Sequence, residues 1–224
     1  MKTTCKTIGD TTSFIIADLD AAYHDAARGL YYTQIEGGFA KSFPSHTPHL
    51  QRIYRNFERC AEEMILQAAG VRAVPWEQAL LAFLERIECD NIDWYLVGSA
   101  ALAARGLDIA PHDVDIIVDD AGAQRLSELL LDVLVEPFLP SERWIGNSFG
   151  RSFLHARFEW VGGVHADVDA HGATDFGPLA ASRLERIDWR GAVLRVPPLD
   201  LQLDVSRRRG LTGRAEIIAR AMRL

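Results

Sequence analysis

The sequence predicts an α/β protein, and three observations carry that expectation. Apolar residues recur three and four apart from Ile16 to about Ile87, as on amphipathic helices. After Asp93 the texture changes to short apolar runs that alternate with short helical patterns. Beyond Pro197 the pattern returns to helix. The expected organisation is a helical N-terminal segment over 1–90, an α/β core over 91–197 and C-terminal helices over 198–224, with no internal repeat and no low-complexity linker.

The first helical stretch is "AYHDAARGLYYTQIEGGFAKSF", the second "HLQRIYRNFERCAEEMILQAAG" and the third "PWEQALLAFLERI". Pro44-Ser45 separates the first two, Gly70 closes the second, and Pro75 suits the first turn of the third. In the core, "WYLVG" (94–98) is a buried strand ending in glycine, and "AALAARG" is a short Ala-rich helix. "VDIIVD" (114–119) is a second buried strand, and "AGAQRLSELLLDV" (121–133) a helix. The stretch 152–172, "SFLHARFEWVGGVHADVDAHG", reads as two strands joined at Gly162-Gly163, a two-glycine turn of the kind hairpins prefer. The tail, "PPLDLQLDVSRRRG" and "LTGRAEIIARAMRL", is helical.

Composition limits the function classes. With 224 residues, 48% of them hydrophobic, the chain can build a sizeable core. A net charge of −7 argues against bulk electrostatic binding to nucleic acid or an anionic membrane and favours a cationic ligand. Cys5, Cys60 and Cys89 have no metal-ligand spacing, which suits a reducing compartment. The N-terminus lacks the apolar core of a signal peptide, and no apolar run is long enough to span a bilayer. The expected location is the cytoplasm.

The chemistry concentrates in "GSAALAARGLDIAPHDVDIIVDD" (98–120). On a strand Asp113 and Asp115 point the same way, and His112 is the one basic group between Arg105 and Arg125. Two carboxylates that close repel unless a cation lies between them, and hard oxygen ligands suit Mg²⁺. Upstream, Gly98-Ser99 joins a strand to a helix, where glycine lets backbone approach a phosphate and the serine adds a hydroxyl; the serine equally suits an N-cap. Asp119 and Asp120 read as caps of the next helix and Asp108 as a turn residue. Downstream, "VHADVDAHG" alternates so that His165, Asp167, Asp169 and His171 share one strand face, a third acidic element.

A strand, Gly98-Ser99, thirteen residues, Asp113-Val114-Asp115 and a carboxylate on a later strand together resemble the DNA polymerase β-type nucleotidyltransferase superfamily. Within it the chain is most similar to small bacterial members: the aminoglycoside and lincosamide nucleotidyltransferases and the toxin-type enzymes of toxin–antitoxin pairs. The resemblance covers 91–197. It implies a mixed β-sheet flanked by helices, a nucleoside triphosphate, foremost ATP, and two Mg²⁺ ions. Gly98 and Ser99 would hold the β- and γ-phosphates, and Asp113 and Asp115 the metals. Asp167 or Asp169 would be the third acid and help take the acceptor proton; Asp169, paired with His171, follows the lincosamide-type pattern. Pyrophosphate would leave.

The acidic total favours a small cationic acceptor such as an aminoglycoside. The tail from Val205 to Leu224, with six arginines and one acid, favours RNA if it does not simply cover an acidic surface of the same protein. Other readings make the chain a non-catalytic nucleotide-binding scaffold, or make 1–90 a module for self-association or for an antitoxin. Arg105, Trp144 and Arg151 could each contact nucleotide or serve packing, and are left outside the expected site.

Overall fold

The computed structural model describes residues 1–141, 145–170 and 175–223. The chain begins with strands β1 (Lys2–Ile8) and β2 (Thr11–Ala17), then helix α1 (His24–Gly29) and strands β3 (Thr33–Ile35) and β4 (Gly38–Pro44). These form an antiparallel sheet in the order β1-β2-β4-β3. This corrects the helical expectation for the first stretch. Phe39 and Phe43 are both buried and lie four residues apart, a spacing that shares a face on a helix and on a strand alike. Gly38 settles the matter, because a Cβ there would lie 2.1 Å from the Ile16 carbonyl oxygen of the paired strand.

Helices α2 (Leu50–Ala68) and α3 (Trp76–Ile87) form as expected. Leu50, Ile53, Phe57, Ala61, Met64 and Ile65 make the buried stripe of α2, and Phe57 stacks on Phe14 of β2 and on Tyr32, just before β3. Gly70, with φ +69°, takes the left-handed conformation that ends α2, and Pro75 immediately precedes α3.

The central sheet follows. Strand β5 (Trp94–Val97) leads into α4 (Gly98–Ala104), β6 (Val114–Val118) into α5 (Asp120–Leu129), and β7 (Leu134–Pro140), β8 (Gly146–Leu154) and β9 (Ala156–Val164) come next. Their order is β5-β6-β9-β8-β7, with β6 and β9 parallel and every other pair antiparallel, so the sheet is mixed. Asp119 caps α5, its carboxylate accepting from the Gly122 N–H at 2.7 Å.

The β8–β9 turn lies at His155, φ +60°, and not at Gly162-Gly163. Gly162 is inside β9 because α5 packs over it: a Cβ there would lie 2.4 Å from Ala123 Cβ and 2.4 Å from Ser148 Oγ. Past Gly163, φ +62°, the last pair is Gly146 with Val164, and the chain turns into a short 3₁₀ segment, Ala166–Asp169. The period-2 pattern of "VHADVDAHG" runs on past the last pair among the described residues and into that 3₁₀ segment; His171, like Trp144, lies outside the described residues.

Helix α6 (Pro178–Ser182), the hairpin β10 (Glu185–Trp189) and β11 (Ala192–Val196), and helices α7 (Leu199–Arg208) and α8 (Thr212–Ala221) complete the chain. One hydrophobic core runs from Phe14 through α2 and α3 to Trp160 and Val196. It covers the sheet face that carries Leu96, Val114, Ile116, Phe158 and Trp160. The opposite face carries Tyr95, Val97 and Ile117, packed against Phe176, Ala180 and Val205. Among the described residues no helix is long and apolar enough to cross a membrane.

Candidate active site

Alternation along β6 and β9 sends Val114, Ile116, Phe158 and Trp160 into the main core and turns Asp115 and Glu159 to the other face. Asp115 and Glu159 are direct partners in the parallel register. Asp113 lies one pleat before Asp115. The three carboxylates can offer oxygens that all lie within 4.8 Å of one another. Val97, Asp115's partner on β5, is followed by Gly98, φ +67°, where a Cβ would stand 3.3 Å from Asp115 Oδ2. Ser99, the second residue of α4, is buried. The expected Gly98-Ser99 and Asp113/Asp115 pairs thus meet at one end of β5 and β6.

Asp167 and Asp169, expected on a strand as the third acid, do not stand with Asp113 and Asp115. Both are exposed, on the 3₁₀ segment rather than on a strand, and neither belongs to the carboxylate group. Asp169 Oδ2 accepts from the Leu179 N–H at 2.6 Å, which ties the segment to α6. The third acid in the cluster is Glu159. Its signal lay in "ARFEWV", where Arg157 and Glu159 alternate with Phe158 and Trp160, eight residues before the stretch the acidic pattern favours.

The cluster is held by arginines. Arg157 donates to Asp113 Oδ2, and its Nε lies 3.0 Å from Glu159 Oε1. Arg151, opposite Glu159 on β8, donates to it at 2.5 Å and also to Glu136, its partner on β7. Lys41, reaching from β4, donates to the same Glu136 oxygen at 2.7 Å. One row of paired positions therefore crosses four strands as Asp115, Glu159, Arg151, Glu136, and the N-terminal sheet caps it with Lys41.

Electrostatics follow from this layout. Burial pushes the Asp115 carboxyl well above its ordinary range, and the Asp113 and Glu159 charges add to the rise; Arg157 and Arg209 oppose it. Burial would also raise Glu136, but the Arg151 and Lys41 charges outweigh it and hold that carboxyl low. Arg209, just past the end of α7, and Arg214, in α8, line the same cavity as Gly98, Ser99 and the three acids, a space of about 390 Å³. Arg105 points elsewhere, to Glu185 and to the Pro197 carbonyl oxygen at 3.0 Å.

No protein-family model matches the chain, and no curated protein does. Among solved structures, a candidate nucleotidyltransferase (TM1012) from Thermotoga maritima is similar with a TM-score of 0.48 and 17% identity, over 68% of this chain and 96% of that one. The lincosamide antibiotic adenylyltransferase LnuA, in its lincomycin-bound form, is similar with a TM-score of 0.40 and 12% identity, over 57% of this chain and 83% of that one.

Proposed function

We propose that the chain is a Mg²⁺-dependent nucleotidyltransferase that moves a nucleoside monophosphate, foremost AMP from ATP, to a hydroxyl of a small-molecule acceptor. The observation that carries this reading is the in-register pairing of Asp115 with Glu159, joined by Asp113 beside Gly98-Ser99. The donor set fits a hard divalent cation: three carboxylates converge, and burial together with the Asp113 and Glu159 charges raises the Asp115 carboxyl above its ordinary range. Bound there, Mg²⁺ would supply charge stabilisation for both the entering and leaving oxygens of an in-line displacement.

The chain's own residues supply the rest. The Gly98 backbone, free of a Cβ, admits a phosphate close to Asp115, and the Ser99 hydroxyl completes that cradle. Arg209 and Arg214, which line the same cavity, neutralise the triphosphate. Arg157 fixes the orientation of Asp113, and Arg151 that of Glu159. Glu159, on the strand farther from Gly98, takes the proton of the acceptor hydroxyl as the acceptor oxygen bonds to the α-phosphorus. The bond between the α-phosphorus and the bridging oxygen to the β-phosphate breaks, and pyrophosphate leaves with both electrons of that bond.

The test is transfer of label from each α-³²P nucleoside triphosphate, with Mg²⁺, to a panel of small hydroxyl compounds, to tRNA and to the protein itself. Transfer to a small molecule is the expected result. Asp113→Ala and Glu159→Gln should each lower kcat at least 100-fold, on the order of removing a group that stabilises charge or moves a proton in the transition state. Asp169→Asn should leave it nearly unchanged. Label moving to tRNA alone would reject the small-molecule acceptor, and no pyrophosphate release with any acceptor would reject the reaction.

A further inference from the structure

A second cavity, about 430 Å³, opens on the far side of Glu159, and its walls are of a different kind. It shares Tyr31, Phe149 and Glu159 with the cavity that holds the acidic cluster, so the two spaces adjoin. Along the charged row the sequence of positions is Gly98 end, Asp115, Glu159, then Arg151 and Glu136 beneath the second cavity. Strands stand about 4.8 Å apart. A hydroxyl entering from the second cavity therefore meets Glu159 on the side opposite the Gly98-Ser99 cradle, as an in-line displacement demands.

The second cavity is mostly apolar: Tyr31, Phe43, Pro137, Leu139, Pro140 and Phe149 line it. Its charged members are Lys41, Glu136, Arg151 and Glu159, two cations and two anions already joined to one another. Among the described residues the wall offers no unbalanced negative charge to a polyamine. The net charge of the chain pointed to a cationic acceptor; the local balance points away from one.

Tyr31 stands at the junction of the two spaces. It is 70% exposed and holds a left-handed backbone, φ +64°, which a bulky residue rarely adopts without a compensating gain. Its ring lies 5.6 Å from the Arg151 guanidinium and 5.7 Å from the Lys41 ammonium, an arrangement that leaves an aromatic surface at the cavity mouth.

The geometry points to this cavity as the acceptor site, built by the N-terminal sheet and β7–β8 for an uncharged, hydroxyl-bearing ring compound that stacks on Tyr31. The assignment of the occupant as acceptor rests on the nucleotidyl-transfer reading, whereas binding itself does not. The test is ligand-observed NMR on the full chain without Mg²⁺ or nucleotide, using phenyl β-D-glucoside, salicin and uridine as probes and kanamycin as the cationic counter-probe.

At least one neutral probe should bind, weaken at least tenfold with Tyr31→Ala and persist with Tyr31→Phe. Kanamycin should not compete with it, and added ATP should not displace it. Melting curves of both variants check the fold, and Tyr31→Gly, which accepts φ +64° freely, should melt no lower than wild type while losing the probe. The assignment is overturned if no neutral probe binds, if Tyr31→Ala binds equally well, if kanamycin competes, or if ATP displaces the probe and so claims the cavity for its base. Probe binding without nucleotidyl transfer would reject the reaction and leave the cavity standing as a ring-binding site. Transfer to kanamycin would keep the reaction and reject this acceptor.

Discussion

Arg151 shows how one side chain serves two carboxylates at once. It is almost fully buried and donates to both Glu136 and Glu159, while its guanidinium lies 5.0 Å from the Phe149 ring centre. Removing it strands two buried acids, and a buried ion pair broken from one side costs far more than the intact pair contributes. Arg151→Met should lower the unfolding free energy by about 3 kcal/mol in urea titrations. A loss below about 0.5 kcal/mol would show that Lys41 and Arg157 suffice to hold both acids. At this scale the sequence was legible where spacing alone imposes proximity: Gly98-Ser99 with Asp113 and Asp115 needs only two neighbouring strands. Glu159 was not, because strand order decides which later acid stands beside Asp115, and strand order is a long-range property. The richer acidic pattern at Asp167 and Asp169 falls on a 3₁₀ segment rather than on a strand.

Elements are clamped to one another by polar contacts at their ends. Arg86, in the last turn of α3, binds Asp132 beyond α5 through two hydrogen bonds of 2.7 and 2.8 Å. Those bonds hold the Asp132 carboxyl below its ordinary value, against a smaller opposing effect of burial. A carboxyl depressed on folding stabilises above its unfolded pKa, and that contribution fades as pH falls through the lower folded value. Because both side chains are partly exposed, solvent screening limits the gain. Asp132→Asn should lower stability by about 0.5 kcal/mol at pH 7. The difference should shrink below about pH 4 and vanish in stronger acid; an equal deficit at both pH values would mean that packing, not charge, is what the substitution removes. Helices α2 and α3 and the C-terminal pair were readable because their apolar stripes run long enough to fix a period. The short strands β3 and β4 were not: in seven residues or fewer, two phenylalanines four apart satisfy either period.

For the whole molecule, the N-terminal sheet and the central sheet share α2 and a single core rather than packing as two. Phe14, Phe57 and Tyr32 stack into the same body of side chains that encloses Phe83, Phe158 and Trp160. Heat or urea should therefore unfold residues 1–90 and 91–197 in one transition, with far-UV circular dichroism and tryptophan fluorescence coinciding. Two separated midpoints would show that the N-terminal part melts alone. All five tryptophans lie beyond residue 75, so fluorescence reports mainly on the later part of the chain.

The row from Asp115 through Glu159 and Arg151 to Glu136 also acts during assembly, before any ligand is met. Were β8 to pair with β9 one residue out of place, Arg151 would turn toward Phe158 and Trp160, and Ser152 would stand in its stead against Glu159. An unpaired guanidinium would enter the oil of the core and an unpaired carboxylate would remain behind it. Hydrophobic strands alone tolerate such slips; this charged stitch makes every misaligned pairing expensive, so the sheet proofreads its own alignment.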